Sequence, residues 1–341
     1  MAKYQAAIKA IASYLPEGKL SNDTLEEEFP EWNTKTIYEK TGISERGVTS
    51  AEECSSDLGV AAVNRLFDNG VCKPQEIDFL LFCTQSPDYF LPTSACLMQD
   101  RLNLPVSCGA LDFNLGCSGF VYGLSLAKGL IETGSSKNIL LVTGETYTKF
   151  IHPTDRSVRT IFGDGASATL ISSLQTDKSL IGPFVFGTDG KGGKHLIVPA
   201  GGFRNPLTTE NSIEQEQKDG VFRSEKNLFM NGPKILSFTL KKIPALVNEL
   251  FEKSGLKMND VDHFVFHQAN KFMLERLRDK LKIPEEKFCI NMKNYANTVS
   301  STIPMAIEMA LQQKKIQSGD KVMIVGFGVG YSWAGAMIEM V

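Results

Sequence analysis

The chain alternates apolar runs of strand length with segments whose apolar positions recur at helical spacing. "YQAAIKAIASYL" predicts an opening strand, and a polar, acidic stretch, "NDTLEEEFPEW", comes after it. In "TSAEECSSDLGVAAVNRLFDNG", Leu58, Ala62, Leu66 and Phe67 fall at i, i+4, i+8 and i+9, one face of a helix with Gly70 as its stop. "IDFLLFCT" predicts a strand, "SACLMQDRLNL" a helix, "SCGALDFNL" a strand and "SGFVYGLSLAKGLIETG" a helix ending at Gly134; "KNILLVTGE" and "ASATLISS" add two strands. Strands without polar alternation, separated by helices, imply an α/β fold with a parallel sheet covered on both faces.

The second half repeats the pattern. "VDHFVFHQANKFMLERLRDKL" predicts strand then helix, "FCINMKNYANTVSSTIPMAIEMALQQ" strand, turn and helix, and "DKVMIVGFGVGYSWAGAMIEM" two closing strands. The chain therefore divides into two similar α/β units, residues 1–175 and 176–341. Superposing Asp78 on Asp262 sets Cys83 opposite His267 and, with a short gap, Cys117 opposite Asn297. The longest irregular stretch, about 187 to 233, is glycine-rich, polar and too long for a simple connector. A cover over a substrate and a surface loop of no consequence fit it equally.

Composition narrows the classes. With 341 residues, 42% hydrophobic, 22% charged and a net charge of −3, the chain has ordinary globular composition and no basic excess for nucleic acid. No stretch approaches the roughly 18 apolar residues of a membrane span, and "MAKYQAAIKAIASYLPEG" lacks the apolar core of a signal peptide. The seven cysteines are scattered and none forms a CxxC pair, so neither a disulfide framework nor a metal cluster is expected, and a reducing cytoplasm fits.

Cys117 stands out because it lies where a strand reverses into a helix. Free backbone N–H groups and the helix dipole there are expected to lower its pKa below the free value of roughly 8.5. Gly116 and Gly119 flank it and allow a sharp turn. A buried, inert cysteine is the bland alternative. His267, one of four histidines, follows the strand "DHFVF" at the edge where parallel-sheet sites gather, although a structural histidine would also sit there. Asn297 opens a helix, as an N-cap or as a donor beside the histidine for a developing enolate oxygen. The glycine run "VGFGVGYSWAG" has no long helix after it, which disfavours a phosphate loop; a tight turn aiming an N–H at a thioester oxygen on Cys117 is the better reading.

Cys117, "HQAN" at 267–270, "ANT" at 296–298 and "GFGVGYSW" at 326–333, in this order, together with "TGISER" at 41–46 and "IFGDGASA" at 161–168, resemble β-ketoacyl-acyl-carrier-protein synthase III and its thiolase-fold relatives. The resemblance spans almost the whole chain. It implies a five-layered α-β-α-β-α thiolase-like fold of two similar halves, an active site between them and a homodimer. It further implies that Cys117 is acylated from acyl-CoA, with the backbone amides of Cys117 and Val329 as oxyanion hole. His267 and Asn297 would then hold the carbonyl of malonyl-acyl carrier protein while CO₂ leaves, and the carbanion would attack the acyl-cysteine to give a 3-oxoacyl thioester. No metal, flavin or nicotinamide is implied.

The family's elongating synthases pair the cysteine with two histidines, so Asn297 favours the type III branch. Hydroxymethylglutaryl-CoA synthases use a general-base glutamate, and none lies between residues 80 and 116. Substrate contacts carried over are Arg156 and Trp32 for adenine, Leu91 at the dimer interface as a limit on acyl length, and Asn270 and Gly232 near the site. The position of the family's stacking tryptophan is Thr36 here, and the middle of its glycine triplet is Val329. Lys271 and Arg276 belong to a segment, 271–293, with seven basic against four acidic residues, which suits an acidic carrier protein or a solvated helix face. Acyl transfer from CoA to an oxygen or nitrogen acceptor on the same residues, and a catalytically silent scaffold, are the competing readings.

Overall fold

Helix composition foreshadows position. The helix Gly119–Glu132 is apolar nearly all round, with Phe120, Val121, Leu124, Ala127 and Ile131 buried, whereas Ser55–Asp68 buries one face. A helix apolar on every side needs cover on every side. In the computed structural model, which describes residues 3–217 and 220–341, two sheets supply that cover.

The first sheet contains β1 (Tyr4–Tyr14), β2 (Phe79–Cys83), β3 (Gly109–Phe113), β4 (Asn138–Glu145) and β5 (Gly165–Gln175), in the order β1-β5-β4-β2-β3. The second contains β6 (Ile181–Thr188), β7 (His263–Phe266), β8 (Lys321–Gly328) and β9 (Ser332–Glu339), in the order β6-β9-β8-β7. The pairing senses also match: in each sheet the first two junctions are antiparallel and the next is parallel. Asp78 accepts from the backbone N–H groups of Lys137 and Asn138 at the start of β4, and Asp262 does the same for Lys321 at the start of β8.

The helices that form the layers are α1 (Ser55–Asp68), α2 (Ser94–Arg101), α3 (Gly119–Glu132), α4 (Gly232–Ser254), α5 (Lys271–Leu281) and α6 (Thr302–Gln312). Helices α1 and α2 cover the outer face of the first sheet and α4 that of the second, with α5 against α4. Between the sheets lie α3 and α6, where Phe120, Leu124, Ile303 and Ile307 meet Leu81, Leu141, Val265 and Ile324 in one core. This is a five-layered α-β-α-β-α fold of two similar halves.

Two expectations need correction. The sheets are mixed, because β8 and β9 are joined by a tight turn and a tight turn can only return antiparallel. The strands read as parallel because helices cover both faces, and that cover, whatever the strand direction, removes polar alternation. The strand expected at "FCI" is reduced to a single parallel bridge, Phe264 to Phe288, so the second half lacks a full counterpart of β3. The acidic stretch left unassigned is a helix, Asn22–Glu28, capped by the Ser21 hydroxyl.

Candidate active site

Cys117 sits in the reversal between β3 and α3, buried, with its helix starting at Gly119. The glycine run between β8 and β9 packs directly on it. A Cβ at Gly328 would stand 2.7 Å from the Cys117 sulfur, and one at Gly119 would stand 2.2 Å from the Cys83 sulfur. These glycines make room for the protein's own sulfurs. Ser118 Oγ meets Ser332 Oγ at 2.7 Å, tying the turn of Cys117 to β9.

The thiol's ionisation differs from the expectation. The backbone N–H groups of Cys117 and Val329 do reach the sulfur and pull its pKa down. Burial opposes them and prevails, with a push from Glu145, so the thiol rises to about 12. Desolvation of the charged form outweighs the two amides and the start of a helix. At rest the group is a thiol.

His267 lies one residue past β7, its backbone N–H on Val325. Its Nδ1 is 2.7 Å from Thr302 Oγ1, and its ring stands edge-on to Phe327. Burial pushes the imidazole down to about 3, so it is neutral near neutral pH. Which nitrogen carries the hydrogen follows the Thr302 hydroxyl, which also reaches Val299 O at 3.1 Å. Asn297 has its orientation set from one side: its Oδ1 accepts from Val299 N at 3.0 Å, which leaves the amide N–H₂ for Ala269 O, at 3.4 Å, and for the cavity. It therefore closes a local turn and keeps an N–H toward the cavity, while the caps of the helices that follow are Thr298 and Ser301 rather than Asn297.

Cys117, His267 and Asn297 line one cavity of about 980 Å³ between the halves, with Phe327 and Gly328. Arg223, Phe229, Met230 and Asn231 also line it, so the irregular stretch 187–233 covers the cavity. Gly232, the first residue of α4, and Asn270, which caps α5 through Met273 N, are on its wall. Val329 faces a second cavity of about 310 Å³, with Gln85, Asn114, Tyr147 and Leu228.

Other carried-over residues lie apart. Arg156 is exposed, next to Ser157 of the cavity wall, with its guanidinium 5.9 Å from the Trp32 ring. Trp32 itself is 4% exposed, packed with Leu25 and Ile37 and stacked on Phe29, so it offers no free ring face in this conformation. Leu91 projects from the surface beside Tyr89 and Phe90 and is 82% exposed. Lys271 and Arg276 are on α5; Lys271 is near Glu275 and Arg276 lies over the exposed Phe272, which reaches the cavity. Sequence reasoning missed Thr302, Phe327, Ser300 and Glu145. Among the described residues no cluster of metal-ligating side chains occurs, and no helix is long and apolar enough to cross a membrane.

Comparison with known proteins gives the family. Models described as 3-oxoacyl-[acyl-carrier-protein] synthase III and as its C-terminal part match residues 111–190 and 251–340. The β-ketoacyl-[acyl-carrier-protein] synthase III of Caldanaerobacter subterraneus subsp. tengcongensis is 34% identical over 337 residues, 99% of this chain and 98% of the relative. The chain belongs to the 3-oxoacyl-[acyl-carrier-protein] synthase III family. A crystal structure of a 3-oxoacyl-(acyl-carrier-protein) synthase III superimposes with a TM-score of 0.97 at 48% identity, covering 98% of this chain and 100% of the other. A 3-oxoacyl-(acyl-carrier protein) synthase from Burkholderia xenovorans gives 0.90 at 36% identity, with 99% and 96% covered. The chain is thus an enzyme of the condensing type, on the thiolase-like fold that family shares.

Proposed function

We propose that the chain joins an acyl group from acyl-CoA to malonyl-acyl carrier protein by decarboxylating Claisen condensation. The observation that carries this is the meeting of Cys117, His267 and Asn297 on one cavity, with two backbone amides aimed at the sulfur. The Cys117 sulfur attacks the thioester carbonyl, the tetrahedral oxygen takes the N–H groups of Cys117 and Val329, and CoA leaves as its thiol with the proton Cys117 gives up. Because the thiol is protonated and His267 neutral, that proton moves in concert with attack, without a preformed thiolate–imidazolium pair.

The malonyl thioester then puts its carbonyl between the Asn297 amide and His267, whose hydrogen is on Nε2 when the Thr302 hydroxyl donates to Nδ1 instead of Val299 O. Loss of CO₂ leaves an enolate held by two neutral donors; its carbon attacks the acyl-cysteine, the C–S bond to Cys117 breaks to give the 3-oxoacyl thioester, and the expelled sulfur takes a proton from water to restore the thiol. Decarboxylation supplies the carbon nucleophile, so this sequence calls on no strong base, metal, flavin or nicotinamide. The second cavity, past Val329, suits the acyl group. Exposed Tyr89, Phe90, Leu91 and Phe203 form an apolar surface that a second copy would cover, placing Leu91 toward the partner's site. Arg156 is proposed to meet the CoA nucleotide, with Trp32 available only if its packing opens. Lys271 and Arg276 are proposed to meet the acidic carrier protein, and a cytoplasmic setting fits those substrates.

The test is to incubate the protein with a panel of acyl-CoAs, read covalent loading by intact mass, then add malonyl-acyl carrier protein and measure CO₂. Loading that disappears in Cys117→Ala, followed by CO₂ release and a 3-oxoacyl product, is the expected result. Loading without CO₂ would point to acyl transfer onto oxygen or nitrogen, and no loading to a silent scaffold.

A further inference from the structure

One carboxyl, buried between the halves, ties the nucleophile side of the site to the donor side. Glu145 ends β4 and is 0% exposed. Its Oε2 accepts from Gln85 N at 3.0 Å and lies 3.3 Å from Ser86 Oγ, both in the segment after β2. Its Oε1 is 2.8 Å from Ser300 Oγ, which comes from the other half.

Ser300 stands in the middle of the turn that carries both Asn297 and Thr302, the partner of His267. That turn is held away from relaxed backbone: Ala296 and Val299 have φ of +57° and +54°, where side-chain-bearing residues are uncommon. Ser301 Oγ adds a second tie, 2.8 Å from Thr143 Oγ1, two residues before Glu145 on the same strand. The turn is thus pinned to β4 by consecutive hydroxyls.

The titratable groups facing Glu145 are Cys83 of β2, Cys117 of the nucleophile turn, Tyr147 just past β4 and Asp164 just before β5. None is a cation. Burial pushes the Glu145 carboxyl up to about 8, against the hydrogen bonds that favour its ionised form. Near neutral pH it therefore keeps a proton, while its Oε1 accepts from the Ser300 hydroxyl. Cys83 belongs to the same buried cluster. The Cys83 thiol in turn donates to Leu115 O at 3.0 Å, two residues before Cys117. Glu145 thus joins Ser300 of the donor turn to Gln85 and Ser86, which follow the strand that carries Cys83.

We propose that Glu145 is a positioning residue whose carboxyl, through Ser300, holds the Asn297–Thr302 turn against the nucleophile half so that both donors face the acyl-cysteine during condensation. The proposal rests on the condensing reading above. Its test measures acyl loading and malonyl-thioester decarboxylation separately in Ser300→Ala and Glu145→Gln, with thermal melting to confirm folding. Ser300→Ala is expected to lose roughly 10- to 100-fold in decarboxylation, the scale of a displaced catalytic group, while loading changes by less than about threefold. Glu145→Gln copies the shape of the protonated acid. Its side-chain oxygen can still accept from Ser300, so it is expected to keep most of the decarboxylation rate. Decarboxylation at the full rate in Ser300→Ala, equal loss of both half-reactions, or a Glu145→Gln rate as low as that of Ser300→Ala would overturn it. No CO₂ from the unsubstituted protein would instead overturn the condensing reading, and this proposal with it.

Discussion

In the first half, the strand end that faces the other half carries Cys83; in the second, the residue at the matching place is His267. The next reversal from strand side to helix carries Cys117 in one half and Asn297 in the other. All four side chains are buried, and burial raises both thiols and lowers the imidazole. What separates Cys83 from the other three is access. The cavity reaches Cys117, His267 and Asn297, whereas Cys83 donates to Leu115 O and is packed against Gly119, away from the cavity wall. Duplicated topology supplies equivalent strand ends; the cavity decides which of them does chemistry.

The sharpest break of that comparison separates the two halves by their half-reactions. His267→Ala and Asn297→Ala are expected to cost roughly 10²- to 10³-fold in CO₂ release, the scale of one lost oxyanion donor, while acyl loading largely survives. Intact mass and CO₂ capture on the same samples check this. Parallel loss of loading and CO₂ release in both variants would show that the second half also serves the first step.

Much of the architecture could be read from apolar runs, because α3 and α6 must be apolar on every side and the strands on both faces. Strand direction could not, since covered sheets look alike in sequence whichever way their strands run. The chemistry was legible where a rare residue type meets a chain reversal, as at Cys117 and His267. It was hidden where a functional group resembles ordinary punctuation. Glu145 ends "KNILLVTGE" and looks like the polar end of a strand, and "VSST" before α6 looks like a set of helix caps. Ionisation was hidden for a different reason: a helix start can be recognised in sequence, but the desolvation that outweighs it depends on what packs around the sulfur.

The thiol's ionisation gives a test of middle size. A free thiol is half ionised near pH ~8.5, so its alkylation levels off not far above that value. With Cys117 raised to about 12, alkylation by iodoacetamide is expected to climb steadily across alkaline pH with no plateau near that of a free thiol. Peptide mass mapping isolates Cys117 from the other six cysteines. A plateau at or below neutral pH would mean that the two amides and the helix start win over burial, as the sequence alone suggested.

The smallest effect concerns the surface of the second half, where α5 presents basic side chains with no counterpart in the chemistry of the cavity. Arg276 is exposed and lies over Phe272, whose ring is at once 43% exposed and part of the cavity wall. A carrier protein docking there would bring its thioester arm to the cavity beside Phe272. Exposed charges act mainly on encounter, and their reach falls to about 10 Å at 0.1 M salt. Arg276→Glu is therefore expected to raise KM for malonyl-acyl carrier protein by only about threefold to tenfold at low salt, with kcat and acyl-CoA loading little changed. The effect should shrink as salt is added. Steady-state kinetics at two ionic strengths decides it: a KM unmoved at low salt would place the docking surface elsewhere, and a fall in kcat would mean that the substitution had disturbed α5 and, through Asn270 and Met273, the wall of the site itself.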